Sequence, residues 1–277
     1  MKIITWNVNG LRSVWQKGFL AFVSQTKPDI LCLQEIKIQP EQLEKLEVPK
    51  GYCLFSNCAQ RKGYSGVAIY LNKSCARSHL AQIENSLGLD RFDDEGRFLQ
   101  LKFPKFTLIN LYLPHGGRQK ENLDYKLKVY DFLLKRLARR KNRPLILAGD
   151  FNVAHQEIDL ARPRQNQNNI MFTPAERKQL DDLITLGFID TFRVLNPEGG
   201  HYTWWPYFAD ARKRNLGWRI DYCFVSKLLL PRLKKSFILS KVLGSDHCPV
   251  GVELDNRLTE LSNQKDGSIE IKSQSGI

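Results

Sequence analysis

Leu145-Ile146-Leu147-Ala148-Gly149-Asp150-Phe151-Asn152 is an apolar run that ends on a glycine and then on a carboxylate and an amide two residues apart. A short β-branched and aliphatic run bounded by Gly and Asp reads as a buried strand, with Asp150 and Asn152 at its exit. The same design recurs at the start of the chain, where Ile3-Ile4-Thr5-Trp6 leads to Asn7 and Asn9, again two residues apart. Side chains at that spacing share a face of an extended chain. Glu35 closes the run Asp29-Ile30-Leu31-Cys32-Leu33-Gln34. Asp221 lies in Trp218-Arg219-Ile220-Asp221-Tyr222, and Asp246-His247 in Gly244-Ser245-Asp246-His247-Cys248-Pro249. Each piece alone has an ordinary explanation, a solvated strand end or a turn such as Asn9-Gly10. Brought together, they form an acidic, amide-rich pocket with one imidazole.

Further apolar runs fall at 51–56, 66–71, 98–103, 106–113, 201–205, 219–225, 236–243 and 249–254. Leu123, Leu127, Tyr130, Leu134 and Leu137 repeat at helical spacing within 119–142. Thr173, Pro174 and Glu176 form a helix-start signature. Shorter helices are expected near 13–27 and 40–46. Strands alternating with helices predict an α/β fold. Residues 1–254 read as one catalytic domain and 255–277 as a polar, mobile tail.

The chain has 277 residues and a net charge of +13; the tail contributes −1, so the body carries +14. A basic body around an acidic pocket suits a polyanionic substrate and a metal ion. The Lys135, Arg136, Arg139, Arg140, Lys141 cluster has an equally good explanation in the helix dipole. Six cysteines without a Cys-x-x-Cys pair, and no signal-like or membrane-spanning run, predict a reduced, intracellular protein.

In order and wording these pieces resemble the exonuclease III-like family of apurinic/apyrimidinic (AP) endonucleases, within the endonuclease/exonuclease/phosphatase superfamily. The resemblance covers residues 1–254. It rests on Trp6-Asn7-Val8-Asn9-Gly10-Leu11-Arg12, Leu33-Gln34-Glu35-Ile36-Lys37, Arg61-Lys62-Gly63-Tyr64-Ser65-Gly66-Val67, Ala154-His155-Gln156-Glu157-Ile158-Asp159-Leu160 and Tyr202-Thr203-Trp204-Trp205. It implies a DNase I-like four-layer α/β sandwich, two packed mixed sheets flanked by helices. It also implies Mg²⁺-dependent hydrolysis of DNA 5′ to abasic sites, with 3′-phosphodiesterase, 3′-phosphatase and 3′→5′ exonuclease action. The alternative is a 3′-end-processing enzyme with weak abasic incision.

By this resemblance Glu35 binds the metal with Asn9 and Asp246, Mn²⁺ substituting. Asp150 activates water between Asn7 and Asn152, which orient it. His247, oriented by Asp221, and Tyr112 contact the phosphate. Arg61, Lys62, Arg118, Asn166, Asn169, Trp204, Phe208, Trp218 and Ile220 are the expected DNA contacts. The expected partner is double-stranded DNA with abasic sites or blocked 3′ ends, bound by a monomer away from any membrane, in cytoplasm and nucleoid or in a nucleus. Two departures stand out. Ile170 and Met171 precede Phe172 where relatives have small residues, often Gly, and His115 replaces an Asn or Gln.

Two other readings compete. One is a relative acting on inositol phosphates or sphingomyelin, disfavoured by the basic body. The other is a non-catalytic DNA binder, disfavoured because every catalytic position holds a competent residue.

Overall fold

The computed structural model describes residues 1–76 and 80–255. Of the expected tail only Asp255 is described, paired with Lys234 at 3.1 Å; the rest lies outside the described residues.

Twelve strands are present among the described residues: β1 Lys2–Asn7, β2 Ile30–Gln34, β3 Tyr52–Asn57, β4 Val67–Asn72, β5 Gln82–Glu84, β6 Phe98–Lys102, β7 Thr107–Tyr112, β8 Leu145–Asp150, β9 Phe188–Asp190, β10 Asp221–Ser226, β11 Leu233–Ile238 and β12 Val250–Leu254. The helices are α1 Leu11–Gln16, α2 Phe19–Thr26, α3 Pro40–Leu43, α4 Lys73–Ala76, α5 Asp90–Asp94, α6 Leu123–Ala138, α7 Pro174–Thr185 and α8 Thr191–Leu195. One six-stranded sheet runs β11-β12-β1-β2-β4-β3 and the other β5-β6-β7-β8-β10-β9.

The two sheets pack face to face. Ile3, Ile30, Val67 and Ile69 of the first meet Leu99, Leu108, Ile146 and Cys223 of the second in one core cluster. On the outer faces, α1 and α2 cover the first sheet through Leu11, Val14, Phe19 and Phe22. Helices α6 and α7 cover the second through Val129, Leu133, Leu180 and Leu183. This is the expected four-layer sandwich. It explains why the central strands read as continuous apolar runs: both of their faces are buried. Polar bonds also cross between the sheets: the Gln34 amide donates to Asn110 Oδ1 (2.7 Å) as well as to Thr5 Oγ1 of its own sheet (2.8 Å).

Each sheet contains one parallel pair, β1 with β2 and β7 with β8. Asn7 is level with Gln34, and Tyr112 with Asp150. Antiparallel β10 sets Asp221 level with Asp150 on its other side. Five sequence-distant strand ends therefore reach one rim.

Several expected elements differ. The helix over 13–27 is two helices, because Gly18 takes a left-handed backbone (φ +102°) between them. The strand over 201–205 is reduced to isolated bridges from Trp204 to Trp218 and His247. Strand β11 begins earlier than residue 236, since its exposed Lys234 and Lys235 give an edge strand the polarity of a loop. The short β5, β9, α5 and α8 carry too little periodicity to be read.

Candidate active site

The backbone turns sharply where the strands end. Asn9 (φ +45°), Glu35 (φ +50°), Lys37 (φ +50°) and Asn152 (φ +52°) all adopt the left-handed region. Such residues cost on the order of 1–3 kcal/mol each and persist only where neighbours hold them. Here Gly10 N–H bonds Glu35 O at 2.7 Å, while Ile36 and Lys37 N–H bond Gly66 and Ser65 carbonyls at 3.1 and 2.8 Å. The Tyr64-Ser65-Gly66 phrase thereby has a physical reason. A Cβ on Gly66 would lie 2.8 Å from Ile36 Cγ1.

At the centre, the Asn7 side-chain amide donates to Glu35 Oε1 and to Asp150 Oδ2, both at 2.9 Å. Asn152 donates its backbone N–H to Asp150 Oδ1 at 2.8 Å and its side-chain amide to Oδ2 at 3.2 Å. His247 Nδ1 bonds Asp221 Oδ2 at 2.9 Å, and its Nε2 lies 4.0 Å from Asp150 Oδ2. Ligand atoms of Glu35, Asp150 and His247 all fall within 4.8 Å of one another. Arg97 stacks over the Tyr112 ring at 4.2 Å, and burial together with the nearby Glu35 carboxyl raises the Tyr112 hydroxyl.

The electrostatics follow from burial. Asp150 is fully buried and close to Asp221, which pushes its carboxyl up to about 8. Burial would lower His247, but Asp221, its hydrogen bond and Asp150 raise the imidazole to about 10. The ring is thus an imidazolium that bonds Asp221 through Nδ1 and faces Asp150 with Nε2. Glu35 goes the other way: against the effect of burial, Lys37 and the Asn7 amide hold it below the ordinary range.

A place for a cation exists beside Glu35. The Lys37 ammonium sits there, 2.9 Å from Glu35 Oε2 and bonded to Asn9 Oδ1. Asn9 also donates to Asp246 Oδ1 at 2.9 Å, and the Trp204 indole N–H donates to Asp246 Oδ2 at 3.1 Å. Hard oxygen donors from Glu35, Asn9 and Asp246 suit Mg²⁺. In the tighter Glu35–Asp150–His247 trio, a protonated imidazole offers no lone pair, so that trio is not itself a cage.

Among the expected DNA contacts, Arg61, Lys62, Arg118 and Asn169 are exposed, and Phe208 is 70 % exposed. Asn166 spends its amide on the Ala161 and Arg162 carbonyls and accepts from Asn169, so it shapes its loop. Ile220 is 1 % exposed; it lies in an apolar cluster with Ala154, Ile170, Met171, Phe172 and Trp218, with half-buried Trp204 packed against it. Buried Arg219 anchors this wall through Asp159 (2.8 Å) and Asp190 (2.7 Å). Met171 is buried with φ +70°, a backbone conformation that glycine adopts at the least cost.

The basic C-terminal end of α6 is elsewhere. Arg139, Arg140 and Arg143 gather beside Thr107 and Leu145, the opposite ends of β7 and β8 from the site.

Sequence reading missed three contributors. Lys37 lies inside a quoted motif, so its signal was present. Tyr207, whose hydroxyl is raised by burial and by nearby Asp246, and Arg97 lie in stretches without a distinguishing pattern.

A model of the endonuclease/exonuclease/phosphatase family matches residues 4–247. An exodeoxyribonuclease of Bacillus subtilis (strain 168) is 42% identical over 253 residues, 90% of this chain and 98% of that protein. A DNA-(apurinic or apyrimidinic site) endonuclease of Dictyostelium discoideum is 40% identical over 260 residues, 92% of this chain and 71% of that one. The solved structure of a 3′ phosphatase from Neisseria bound to product DNA hairpin superimposes with a TM-score of 0.82 at 30% identity, covering 92% of this chain and 99% of the other.

Proposed function

The chain belongs to the endonuclease/exonuclease/phosphatase family and is a nuclease acting on DNA; from that premise we propose that it hydrolyses the DNA backbone 5′ to abasic sites and trims blocked 3′ ends. The observation that carries this reading is the gathering of Glu35, Asp150 and His247 at one rim of a body that is otherwise basic. Double-stranded DNA is the partner, bound by a monomer. Among the described residues no helix is long and apolar enough to cross a membrane.

Asp150 takes a proton from the attacking water, positioned by the amides of Asn7 and Asn152. The His247 imidazolium, oriented by Asp221, and the Tyr112 hydroxyl donate to non-bridging phosphate oxygens as charge develops there. Glu35, Asn9 and Asp246 would hold Mg²⁺, with Mn²⁺ in substitution. When bound, the ion supplies charge neutralisation at the phosphate and at the leaving oxygen. His115 is held neutral by burial and by Lys126, and its Nδ1 accepts the Gly117 N–H at 3.2 Å. That leaves Nε2–H as a donor, the capability that an Asn or Gln amide has in relatives.

These protonation states set a pH window. Activity needs Asp150 ionised, so kcat/KM rises with pH towards about 8; it needs His247 protonated, so kcat/KM falls above about 10. A pH series on one abasic-analogue duplex measures both limbs. An acid limb near pH 4 would mean that an ordinary carboxyl governs the rate.

A tetrahydrofuran-containing duplex and a nick bearing a 3′-phosphate separate incision from end trimming. We expect cleavage of both substrates with Mg²⁺ and of neither with EDTA. The buried side chains of Ile170 and Met171 favour a second reading, in which the wall crowds the abasic sugar. Under that reading wild type processes only the nick, and Met171→Gly restores incision of the duplex. Processing of neither substrate ends both readings.

A further inference from the structure

One charged pair lies wholly inside the protein and, apart from the effect of Lys126 on His115, takes no part in the chemistry above. Lys126 on α6 and Glu176 at the start of α7 are each 0 % exposed and meet at 2.6 Å. Replacing such a pair with apolar side chains is often neutral or stabilising, so its presence is weak evidence for a role in stability. What distinguishes it is where its other hydrogen bonds go.

A lysine ammonium has three N–H donors, and all three of Lys126 are used: on Glu176 Oε1, on the Asn152 carbonyl at 2.6 Å and on the His115 carbonyl at 3.1 Å. Glu176 is equally committed. Its Oε1 also accepts the Met171 N–H at 3.0 Å, and its Oε2 accepts the Thr173 N–H at 3.0 Å and hydroxyl at 2.8 Å. Three loops are thus tied to one buried point: the exit of β7 at His115, the exit of β8 at Asn152, and the Ile170-Met171-Phe172 wall.

Two of the tied residues have left-handed backbones, Asn152 (φ +52°) and Met171 (φ +70°). Neither is a glycine, so each needs an external anchor. For Asn152 that anchor grips the carbonyl, while the N–H of the same residue holds Asp150 Oδ1 at 2.8 Å. Met171 in turn is gripped at its N–H by Glu176, while its carbonyl accepts the Ala154 N–H at 2.8 Å. The two loops therefore reach the pair by independent bonds.

We propose that Lys126 and Glu176 are positioning residues that fix the orientation of the Asp150 base and the Met171–Phe172 wall together, so that loss of the pair loosens both at once. This inference rests on the proposed role of Asp150. Misplacing a reacting group by about 1 Å costs on the order of 100-fold in rate.

The test uses the double variant Lys126→Met/Glu176→Gln, which removes both charges and leaves no ion unpaired, alongside each single variant. Chemical denaturation first identifies variants that fold as wild type does. Hydrogen exchange then reads residues 151–154 and 170–173 without substrate, and steady-state kinetics follow on the 3′-phosphate nick. The expected result in the folded double variant is faster exchange in both segments, with kcat down about 100-fold and KM for the nick unchanged. A folded double variant with wild-type kcat, or with exchange altered in only one segment, overturns the proposal. If wild type itself processes neither DNA substrate while exchange loosens in both segments, the functional reading fails and the structural coupling stands. Should the double variant fail to fold, Glu176→Gln alone carries the same two readouts, because it removes the charge that holds the Lys126 ammonium and leaves one oxygen to serve the four bonds that two oxygens shared.

Discussion

Asp150→Asn is expected to lower the single-turnover rate of DNA cleavage by about 1,000-fold while leaving duplex binding intact. The size follows from general-base catalysis, whose loss typically costs about 100- to 10,000-fold. Asparagine keeps the shape of the side chain but has no basic oxygen. Its effect on folding is bounded by the local hydrogen bonds. Asp150 accepts from the Asn152 N–H with one oxygen and from the Asn7 amide with the other. An amide supplies a single acceptor oxygen, so one donor loses its partner, at a cost of about 1–3 kcal/mol. Above about pH 8, where Asp150 is ionised, removing its charge beside Asp221 offsets part of this. The variant should therefore fold and hold DNA, more tightly if anything, since the polyanion meets one carboxylate fewer. Gel-shift and cleavage assays in one buffer, at one stated salt concentration, check both halves. A variant that cuts at the wild-type rate would remove Asp150 from the mechanism; one that no longer binds would assign it to recognition.

How much of this was legible in the sequence depended on the kind of signal. The exits of β1, β2 and β8 were readable because an apolar run ending on a polar side chain marks both the strand and the rim. Registers such as Tyr112–Asp150–Asp221 were not, because strand pairing is a long-range property absent from any local window. Trp204 and Trp218 were recognised as aromatic candidates, yet their mutual bridge and the Trp204 bond to Asp246 exist only once the loops meet. Lys126 shows the limit most plainly. On a basic helix it reads as one more solvated lysine, and nothing local says that it is buried and spent on three loops.

In the sequence Gly149 only bounds an apolar run; the structure gives it a stricter reason, and Gly149→Ala is the substitution expected to damage the fold most. The residue lies within β8, level with Leu111 of β7 and Tyr222 of β10. A Cβ added there would stand 1.9 Å from the Leu111 carbonyl oxygen and 2.8 Å from its carbon. Both are backbone atoms of a paired central strand, so no side-chain rotation relieves the clash. Its φ of +150° adds conformational strain. Separating β7 from β8 would open the second sheet at its middle and move Tyr112 and Asp150 apart, so stability and catalysis should fall together. We expect a loss of about 4 kcal/mol or more, at the extreme of single substitutions and a large share of the roughly 5–15 kcal/mol that holds a domain folded. Gly18→Ala is the matched control: φ is +102° and a Cβ there meets nothing within 4 Å, so only backbone strain applies, about 1 kcal/mol. Denaturant titrations of the two variants separate collision from strain. Equal losses would mean that β7 and β8 do not approach so closely, and that Asp150 owes its position to something other than the glycine before it.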